Sequence, residues 1–428
     1  MNKDTRKNNS IKSITPPLSK VIRLPISKEE HEELIKEPNE FRRYVDEYYI
    51  KHPELFPKEM EKGYHLHGYT RVSAKTGLKF RRILIDPKNR ATCYTICPSF
   101  IMPYMRGETE ELEKMLFLSQ FGVPYWALGK VFDKDPMFCY RSVVSMGEFS
   151  VTGTTVKSED KLPENLVADE KHTRIKGEKA YIATTVSDEC FLGVQISKTA
   201  DEIGLEEAYG VFKEEAKDID SNYTPKTVNT DGWSATKNVW KKLFSTILII
   251  ECFLHAILGI RNVATKKTQP LFQEILNKAW NVYKAPSLRS FSQRMRRLKE
   301  WAEGIPDGKL KDKLLKLYYK KEFFVGYYNH TSAYRTSNMI DRLMDGMDRF
   351  IYSARYFHSN IHSANKLIRA YALIHNFAPS SPYIIKKYNG KLSPAERLNG
   401  FRYHDNWLHN LLISASRNGY RGSPHNPL

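Results

Sequence analysis

With 428 residues, the chain is too long for one ordinary core, and we expect about two or three domains. Its 67 Lys and Arg against 49 Asp and Glu give a net charge of +18, which favours a polyanionic partner such as nucleic acid. Five scattered cysteines do not suit a disulfide framework, and the longest apolar run, at 247–260, is too short and too polar to span a membrane.

The N-terminal part begins with a basic, Pro-containing stretch at 1–18, which predicts a disordered tail. This stretch lacks the apolar core of a secretion signal, so we expect a cytoplasmic protein. A helical pattern from about residue 28 leads to two short strands, 78–85 and 91–96, that read as a hairpin. Four side chains there could ligate a metal, but their spacing matches no zinc module and separate packing of the two thiols is favoured: His65, His67, Cys93 and Cys97.

Three short helices follow, at 110–121, 124–132 and 136–146. Asp135 suits the cap of the third helix and Pro136 suits its first position. The outline is that of a helix-turn-helix, whose third helix would offer Tyr140 and Arg141 to a DNA groove. A small three-helix packing unit gives the same pattern, so both interpretations stand at this stage.

The composition then changes. Gly153, Thr154, Thr155 and the charged stretch 157–161 suggest a linker. Beyond it, strand patterns and helices alternate, which predicts an α/β domain with a mixed sheet. The predicted strands are 166–170, 179–186, 191–197, 226–230 and 247–250. Residues 264–328 carry no strand pattern and are dense in Lys, Arg, Leu and aromatic residues, which predicts a helical insertion. Further helices are expected at 336–357 and 361–377, before a Pro- and Gly-punctuated tail.

Two aspartates, Asp169 and Asp231, stand at the ends of predicted strands. An Asp-Gly pair such as 231–232 is by itself more typical of a turn. Two carboxylates on adjacent strands repel each other, however, and Mg²⁺ or Mn²⁺ with oxygen ligands would compensate them. Two such ions support an in-line displacement at phosphorus.

A third acid is harder to assign. Asp341, Asp345 and Asp348 share one face of a predicted helix, and a solvated charged face is the simpler explanation for them.

Four short motifs occur in a fixed order: Val-Ala-Asp-Glu at 167–170, Val-Asn-Thr-Asp-Gly-Trp at 228–233, Cys-Phe-Leu-His at 252–255, and Arg-Thr-Ser-Asn-Met-Ile-Asp-Arg at 335–342. In this order the chain resembles prokaryotic insertion-sequence transposases of the DDE superfamily, and is most similar to the mutator-like branch. The resemblance covers about residues 160–360.

The resemblance implies an α/β fold with a ribonuclease-H-like mixed five-stranded sheet, interrupted by a helical insertion and preceded by a mainly helical DNA-binding region. The domains expected on this basis are a disordered basic tail (1–18), an N-terminal α+β region (19–105), a helix-turn-helix (106–150), a catalytic domain in two parts (151–263 and 330–378), a helical insertion (264–329) and a C-terminal tail (379–428).

By the same resemblance, Asp169, Asp231 and Asp341 form the catalytic triad and hold two Mg²⁺ or Mn²⁺ ions. The third acid of the family is usually Glu, so Asp at 341 leaves open that Asp345 or a Glu elsewhere serves, or that this copy is impaired. Cys252 and His255 would be a structural or substrate-positioning pair; a buried Cys and a capping His is the alternative, since two ligands do not close a zinc site.

The insertion would contact DNA phosphates through Arg294, Arg296, Arg297 and Lys299, while its aromatic residues are more typical of a core than of base stacking. The expected function is metal-dependent cleavage and strand transfer of DNA ends after binding of terminal inverted repeats. The expected partners are double-stranded DNA, both ends and target, and further copies of the chain in a homodimer or larger assembly, with no membrane and a nucleoid-associated location. Two alternatives remain open: an inactive or domesticated DNA-binding protein, and a structure-selective nuclease.

Overall fold

The structure is a computed structural model that describes residues 19–74, 76–103 and 107–421. The predicted disordered tail at 1–18 lies outside these residues. The protein is a mixed α/β protein with 55% helix, one five-stranded mixed sheet and one four-stranded sheet. Within the described ranges, no helix has the length and apolar character needed to cross a membrane.

The strands are β1 (Val21–Leu24), β2 (His65–Tyr69), β3 (Arg81–Leu84), β4 (Cys93–Pro98), β5 (Asn165–Ile175), β6 (Glu178–Ser187), β7 (Cys190–Ser197), β8 (Thr227–Thr230) and β9 (Leu248–Glu251). The helices of the first half are α1 (Lys28–Lys36), α2 (Pro38–Lys51), α3 (Thr109–Ser119), α4 (Tyr125–Phe132), α5 (Pro136–Ser145), α6 (Val151–Thr155), α7 (Glu202–Ile219), α8 (Ser234–Leu243) and α9 (Phe253–Arg261). Those of the second half are α10 (Gln269–Tyr283), α11 (Leu288–Glu303), α12 (Lys309–Tyr319), α13 (Glu322–Asn329), α14 (Asn338–Ser353), α15 (Ile361–Phe377), α16 (Pro382–Lys387), α17 (Pro394–Asn399) and α18 (Trp407–Ser414).

The N-terminal region contains the four-stranded sheet, in the order β1-β4-β3-β2. The antiparallel pairing of β3 with β4 confirms the predicted hairpin. Two strands were not predicted: β1 runs parallel to β4, and β2 runs antiparallel to β3. Helices α1 and α2 cover the sheet through Leu34, Phe41 and Val45.

The three predicted helices at 110–146 are confirmed as α3, α4 and α5. Asp135 caps α5, because its carboxylate accepts hydrogen bonds from the backbone N–H groups of Met137 and Phe138. These helices share one continuous core with α14, α15 and one face of the five-stranded sheet, so they are not a separately packed unit.

The linker prediction for residues 153–161 is wrong. Residues Val151–Thr155 form the short helix α6, in which every residue is buried, and Lys157 is buried as well. Gly153 is needed here because a Cβ would lie 2.0 Å from the carbonyl oxygen of Gly419. Small residues at this point therefore mark a close approach between two backbone segments rather than a flexible connection.

The five-stranded sheet has the order β7-β6-β5-β8-β9. Strands β5, β6 and β7 form an antiparallel meander, and β8 and β9 continue the sheet in parallel with β5. Leu166 and Ala168 of β5 point to the face covered by α7 and α8, whereas Val167 points to the face covered by α14 and α15. This alternation determines on which side of the sheet each acid lies.

Both edges of this sheet are covered. Asn365 and Asn376 of α15 bond to the edge strand β7: their side-chain oxygens accept from the N–H groups of Ile196 and Phe191 at 2.8 and 2.9 Å. At the other edge, α13 packs against β9, with Gly326 next to Leu248. Residues 264–329 are helical where a helical insertion was predicted, and helices α10 to α13 share a core with α9.

The C-terminal segment is not a peripheral tail. All eight residues of α18 are buried, with Leu408 and Leu411 in the core under α15 and Ile413 in the core of the N-terminal sheet. In addition, the N–H of Arg23 in β1 donates to the hydroxyl of Ser416 at 2.9 Å. Apolar residues in a Pro- and Gly-rich context were not recognised as core, because their partners lie in α15 and in the distant N-terminal sheet.

Candidate active site

Asp169 lies on β5, and Asp231 directly follows the neighbouring parallel strand β8, at the same level along the sheet. Val167 of β5 pairs with Asn229 of β8, so each aspartate follows its paired residue by two positions. Asp231 does follow the end of its strand, and its carboxylate accepts from the N–H of Trp233 at 2.8 Å to start the turn into α8. The prediction of a strand end is wrong for Asp169, because β5 continues along β6 to Ile175.

Asp341 approaches from α14, which lies across the sheet face to which Val167 points. Lys171 of β5 forms an ion pair of 2.5 Å with Asp348, which fixes the helix along this strand. Near the start of the helix, the hydroxyl of Ser337 donates to Asp341 Oδ2 at 3.3 Å. Asp341 and Asp169 therefore project into the same space.

The carboxylates interact electrostatically. Burial, reinforced by the neighbouring charges of Asp231 and Asp341, raises the pKa of Asp169 to about 6, although His255 acts in the opposite direction. Burial also raises the pKa of Asp341, against the influence of His255 and Ser337. Raised pKa values of this kind are expected where carboxylates of like charge lie close together and are partly shielded from water.

The other two acids of the α14 face have different surroundings. Asp348 forms an ion pair with Lys171, and Asp345 is exposed to solvent. Of the three, Asp341 is the acid that acts on the pKa of Asp169. The geometry thus favours Asp341 over its two neighbours as the third member of the cluster.

Cys252 and His255 come together at the start of α9 and meet Ser337. The sulfur of Cys252 lies 3.2 Å from the backbone nitrogen of Ser337, and His255 Nδ1 lies 3.1 Å from the Ser337 hydroxyl. The hydrogen bond with Cys252 raises the pKa of His255 to about 9. For Cys252, burial would raise the pKa, but the hydrogen bonds from His255 and Ser337 outweigh burial and lower it. These shifts favour the charged form of His255, which acts electrostatically on Asp169 and Asp341.

The sequence did not reveal the role of Glu170, a buried acid that follows Asp169 on β5. Glu170 points to the opposite face of the sheet, where its carboxylate accepts from the hydroxyl groups of Tyr209 and Thr236, both at 2.7 Å. Burial raises its pKa to about 7. The Asp-Glu dipeptide belongs to one of the four sequence motifs, but alternation along the strand is the signal that separates the roles of its two acids.

Glu251 was also missed, although it stands at the end of β9 as Asp231 stands after β8. It is only 3% exposed and binds Lys237 of α8 at 2.7 Å and Lys320 of the insertion at 2.6 Å. A Cβ on Gly232 would lie 2.8 Å from this carboxylate. Glu251 thus ties the turn after Asp231 to the helical insertion.

The donor atoms suit a hard divalent cation, because carboxylate oxygens are the ligands that Mg²⁺ and Mn²⁺ prefer. The mutual repulsion of Asp169 and Asp231 is the feature that a cation would relieve. The carboxylates do not converge on one point: in the described parts of the chain no group of three or more His, Cys, Asp or Glu side chains is close enough to hold a metal ion. This also applies to the N-terminal set, where β3 separates His65 and His67 on β2 from the two cysteines on β4.

The predicted DNA-contacting residues are spread over two surfaces. In the insertion, Arg294 bonds to the backbone oxygen of Asn281, whereas Arg296 and Lys299 face Glu300 and Glu303 at 3.4 and 3.1 Å. Arg297 is exposed.

On α5 the ring of Tyr140 packs edge-on against Tyr125 at 5.4 Å, whereas Arg141 is exposed. The three-helix unit presents apolar side chains as well, including Trp126, which is 68% exposed.

The protein was compared with known proteins. A scan against protein-family models finds no match, and a search of the curated proteins finds no matching protein either.

Proposed function

We propose that the protein is a DNA transposase of the DDE class, which cleaves DNA ends and joins them to a target after binding terminal inverted repeats. One observation carries this proposal: Asp231, directly after the strand parallel to β5, and Asp341, on the helix laid across the sheet, both act electrostatically on Asp169 of β5. Three carboxylates so arranged are of the kind that serves phosphoryl transfer.

The topology supports a ribonuclease-H-like catalytic domain. The resemblance expects a mixed five-stranded sheet, and the chain has three antiparallel strands followed by two strands parallel to the first, with Asp169 on the central strand and Asp231 directly after its parallel neighbour. The helical segment α10 to α13 stands between the second and third acids, where the resemblance expects an insertion.

Asp169, Asp231 and Asp341 would hold one or two divalent metal ions, Mg²⁺ or Mn²⁺. When bound, such ions activate an attacking oxygen and stabilise the leaving oxygen at phosphorus. His255, charged through its contact with Cys252, stabilises the ionised carboxylates beside it. Ser337 orients both His255 and Asp341 through its hydroxyl group.

The proposal is tested with the purified protein and a DNA duplex carrying the sequences that flank its gene, with Mg²⁺ or Mn²⁺ added. We expect metal-dependent nicking at the element ends and, with a target plasmid, joined products. Asp231→Ala should abolish both reactions, whereas Asp307→Ala, which removes an exposed acid of the insertion, should not. Cleavage that persists unchanged in Asp231→Ala would contradict the proposal.

A second candidate is a DNA-binding protein without catalysis. It is favoured by the lack of a preformed three-ligand metal group in the described residues, together with Asp in place of Glu at position 341. The same experiment separates the two, because this candidate predicts DNA binding without any metal-dependent product. Cleavage without joining would instead identify a nuclease.

A further inference from the structure

A cavity of about 620 Å³ opens beside the start of α14, next to the β6–β7 turn and the segment between α16 and α17. Its lining comes from four separate places: the β6–β7 turn, the start of α14 with Tyr334 before it, the end of α16 with the turn that follows, and α17. Four cations and two carboxylates line it, namely Arg342, Lys387, Lys391, Arg397, Asp188 and Glu189. The cavity therefore has an excess of positive charge.

Three of these cations are uncompensated. Arg397 binds Glu189 at 2.7 Å and is committed to the fold. In the described part of the chain, Arg342, Lys387 and Lys391 have no ion-pair partner, and Arg342 and Lys387 are exposed. Cations that converge on one cavity without carboxylate partners attract an anionic ligand with several charges.

The β6–β7 turn forms one wall of the cavity. Asp188 and Glu189 form the β6–β7 turn with φ of 49° and 63°, a backbone conformation that residues other than glycine adopt rarely. The turn is held from several sides: the hydroxyl of Tyr334 accepts from the N–H of Asp188 at 3.1 Å, and Arg397 holds the carboxylate of Glu189. A strained turn that its neighbours hold in place suits a binding surface better than a mobile loop.

The cavity is connected to the acid cluster. The side-chain amide of Asn229, two residues before Asp231, donates to the backbone oxygen of Tyr334 at 3.0 Å. Tyr334 lines the cavity, and Arg342 directly follows Asp341 on α14. The cavity and the third acid therefore share the start of α14, and Tyr334 links the cavity to β8.

We infer that this cavity binds the phosphate backbone of DNA next to the cleavage point, through Arg342, Lys387 and Lys391. The identity of the partner rests on the proposed function. The aromatic ring of Tyr388 also lines the cavity. Lys387 Nζ and Arg397 Cζ lie 5.2 and 4.9 Å from the centroid of this ring. Backbone contacts of this type position the strand without reading its sequence.

The test measures binding of a fluorescein-labelled DNA duplex of mixed sequence by anisotropy over a range of salt concentrations. The variant Arg342→Ala/Lys387→Ala/Lys391→Ala is compared with Lys51→Ala/Lys198→Ala/Lys217→Ala, which removes as many exposed cations from other elements. Each lost phosphate contact lowers the slope of log K against log salt by about 0.9, so the cavity variant should lose roughly two to three units of slope and more than about tenfold in affinity. Equal binding by the two variants would overturn the inference.

A second measurement uses the unaltered protein, so it does not depend on how the variants fold. Lys387 and Lys391 are acetylated with a mild reagent with and without the duplex, and modification is read by mass spectrometry. Protection by DNA is expected at both lysines and not at Lys198; equal modification with bound DNA would contradict the inference.

Failure of the inference is distinguishable from failure of the proposed function. DNA binding through the cavity without any cleavage would contradict the proposed function alone. Cleavage with equal binding by the two triple variants would contradict the cavity alone.

Discussion

The hydroxyl oxygen of Ser337 lies 3.1 Å from Nδ1 of His255. The same hydroxyl reaches Asp341 Oδ2 at 3.3 Å, and the backbone N–H of Ser337 reaches the sulfur of Cys252. One serine thus joins the start of α9 to the start of α14. The third acid depends on this junction for its position relative to the sheet.

Removing this hydroxyl should impair catalysis more than stability. Ser337→Ala loses the contacts of the hydroxyl with both His255 and Asp341, and a loss of about 1–1.5 kcal/mol in the placement of the third acid corresponds to about a tenfold lower kcat for DNA cleavage. Ser337→Thr keeps the hydroxyl and should restore part of the loss. Ser353→Ala, at the end of the same helix, is the control. Equal rates for the Ala and Thr variants would contradict a positioning role.

Asp169 should destabilise the metal-free protein at neutral pH. Because its pKa is raised from 3.8 to about 6 in the folded state, its favourable contribution is complete below about pH 4 and is lost as the pH rises through 6. Asp169→Asn cannot ionise and should therefore be more stable at neutral pH, by about 1–3 kcal/mol. Thermal melting with a chelator, near pH 7 and near pH 4, measures this. A variant less stable than the parent at neutral pH would contradict the expectation.

Glu251 should anchor the helical insertion. Glu251→Gln leaves Lys237 and Lys320 without their shared carboxylate, and we expect a loss of about 1–3 kcal/mol in urea unfolding. Hydrogen exchange should increase in α13 before it increases in β5. Asp307→Asn, which breaks a solvent-exposed pair with Lys311, should change neither measurement. An equal increase of hydrogen exchange in α13 and β5 would instead indicate that the substitution destabilises the whole protein.

Gly232 should not tolerate a side chain. Its φ is +95° and a Cβ would meet the carboxylate of Glu251 at 2.8 Å, so Gly232→Ala should cost about 1–3 kcal/mol and reduce cleavage by displacing Asp231. At Gly259 in α9, nothing lies within 4 Å of the place that a Cβ would occupy, and Gly259→Ala should be neutral or slightly stabilising. Similar stability losses in both variants would argue against a special role of the turn.

Local signals predicted much of the fold correctly. The three helices before the sheet were visible from features such as Asp135 and Pro136, which act within one turn. The strands from 166 to 250 were visible from their apolar and β-branched composition, since both faces of the sheet are covered.

What the sequence could not show depends on distant partners. β1 pairs with β4, where Val21 lies opposite Thr95. Glycine is needed at position 153 because the backbone of Gly419 lies against it. At the site, the register of β5 with β8, which sets Asp169 and Asp231 side by side, could not be predicted. Ser337 lies in the motif at 335–342, but its role could not be predicted, because that role is to join two helices.

The contact between Arg23 and Ser416, with Ile413 in the N-terminal core, has a consequence for biogenesis. The strand β1 finds part of its packing in residues that are synthesised 393 positions later, so the N-terminal unit completes its core only after α18 has left the ribosome. Translation products that stop before α18 should consequently expose apolar surface and be degraded. Incomplete copies would then not accumulate as folded protein.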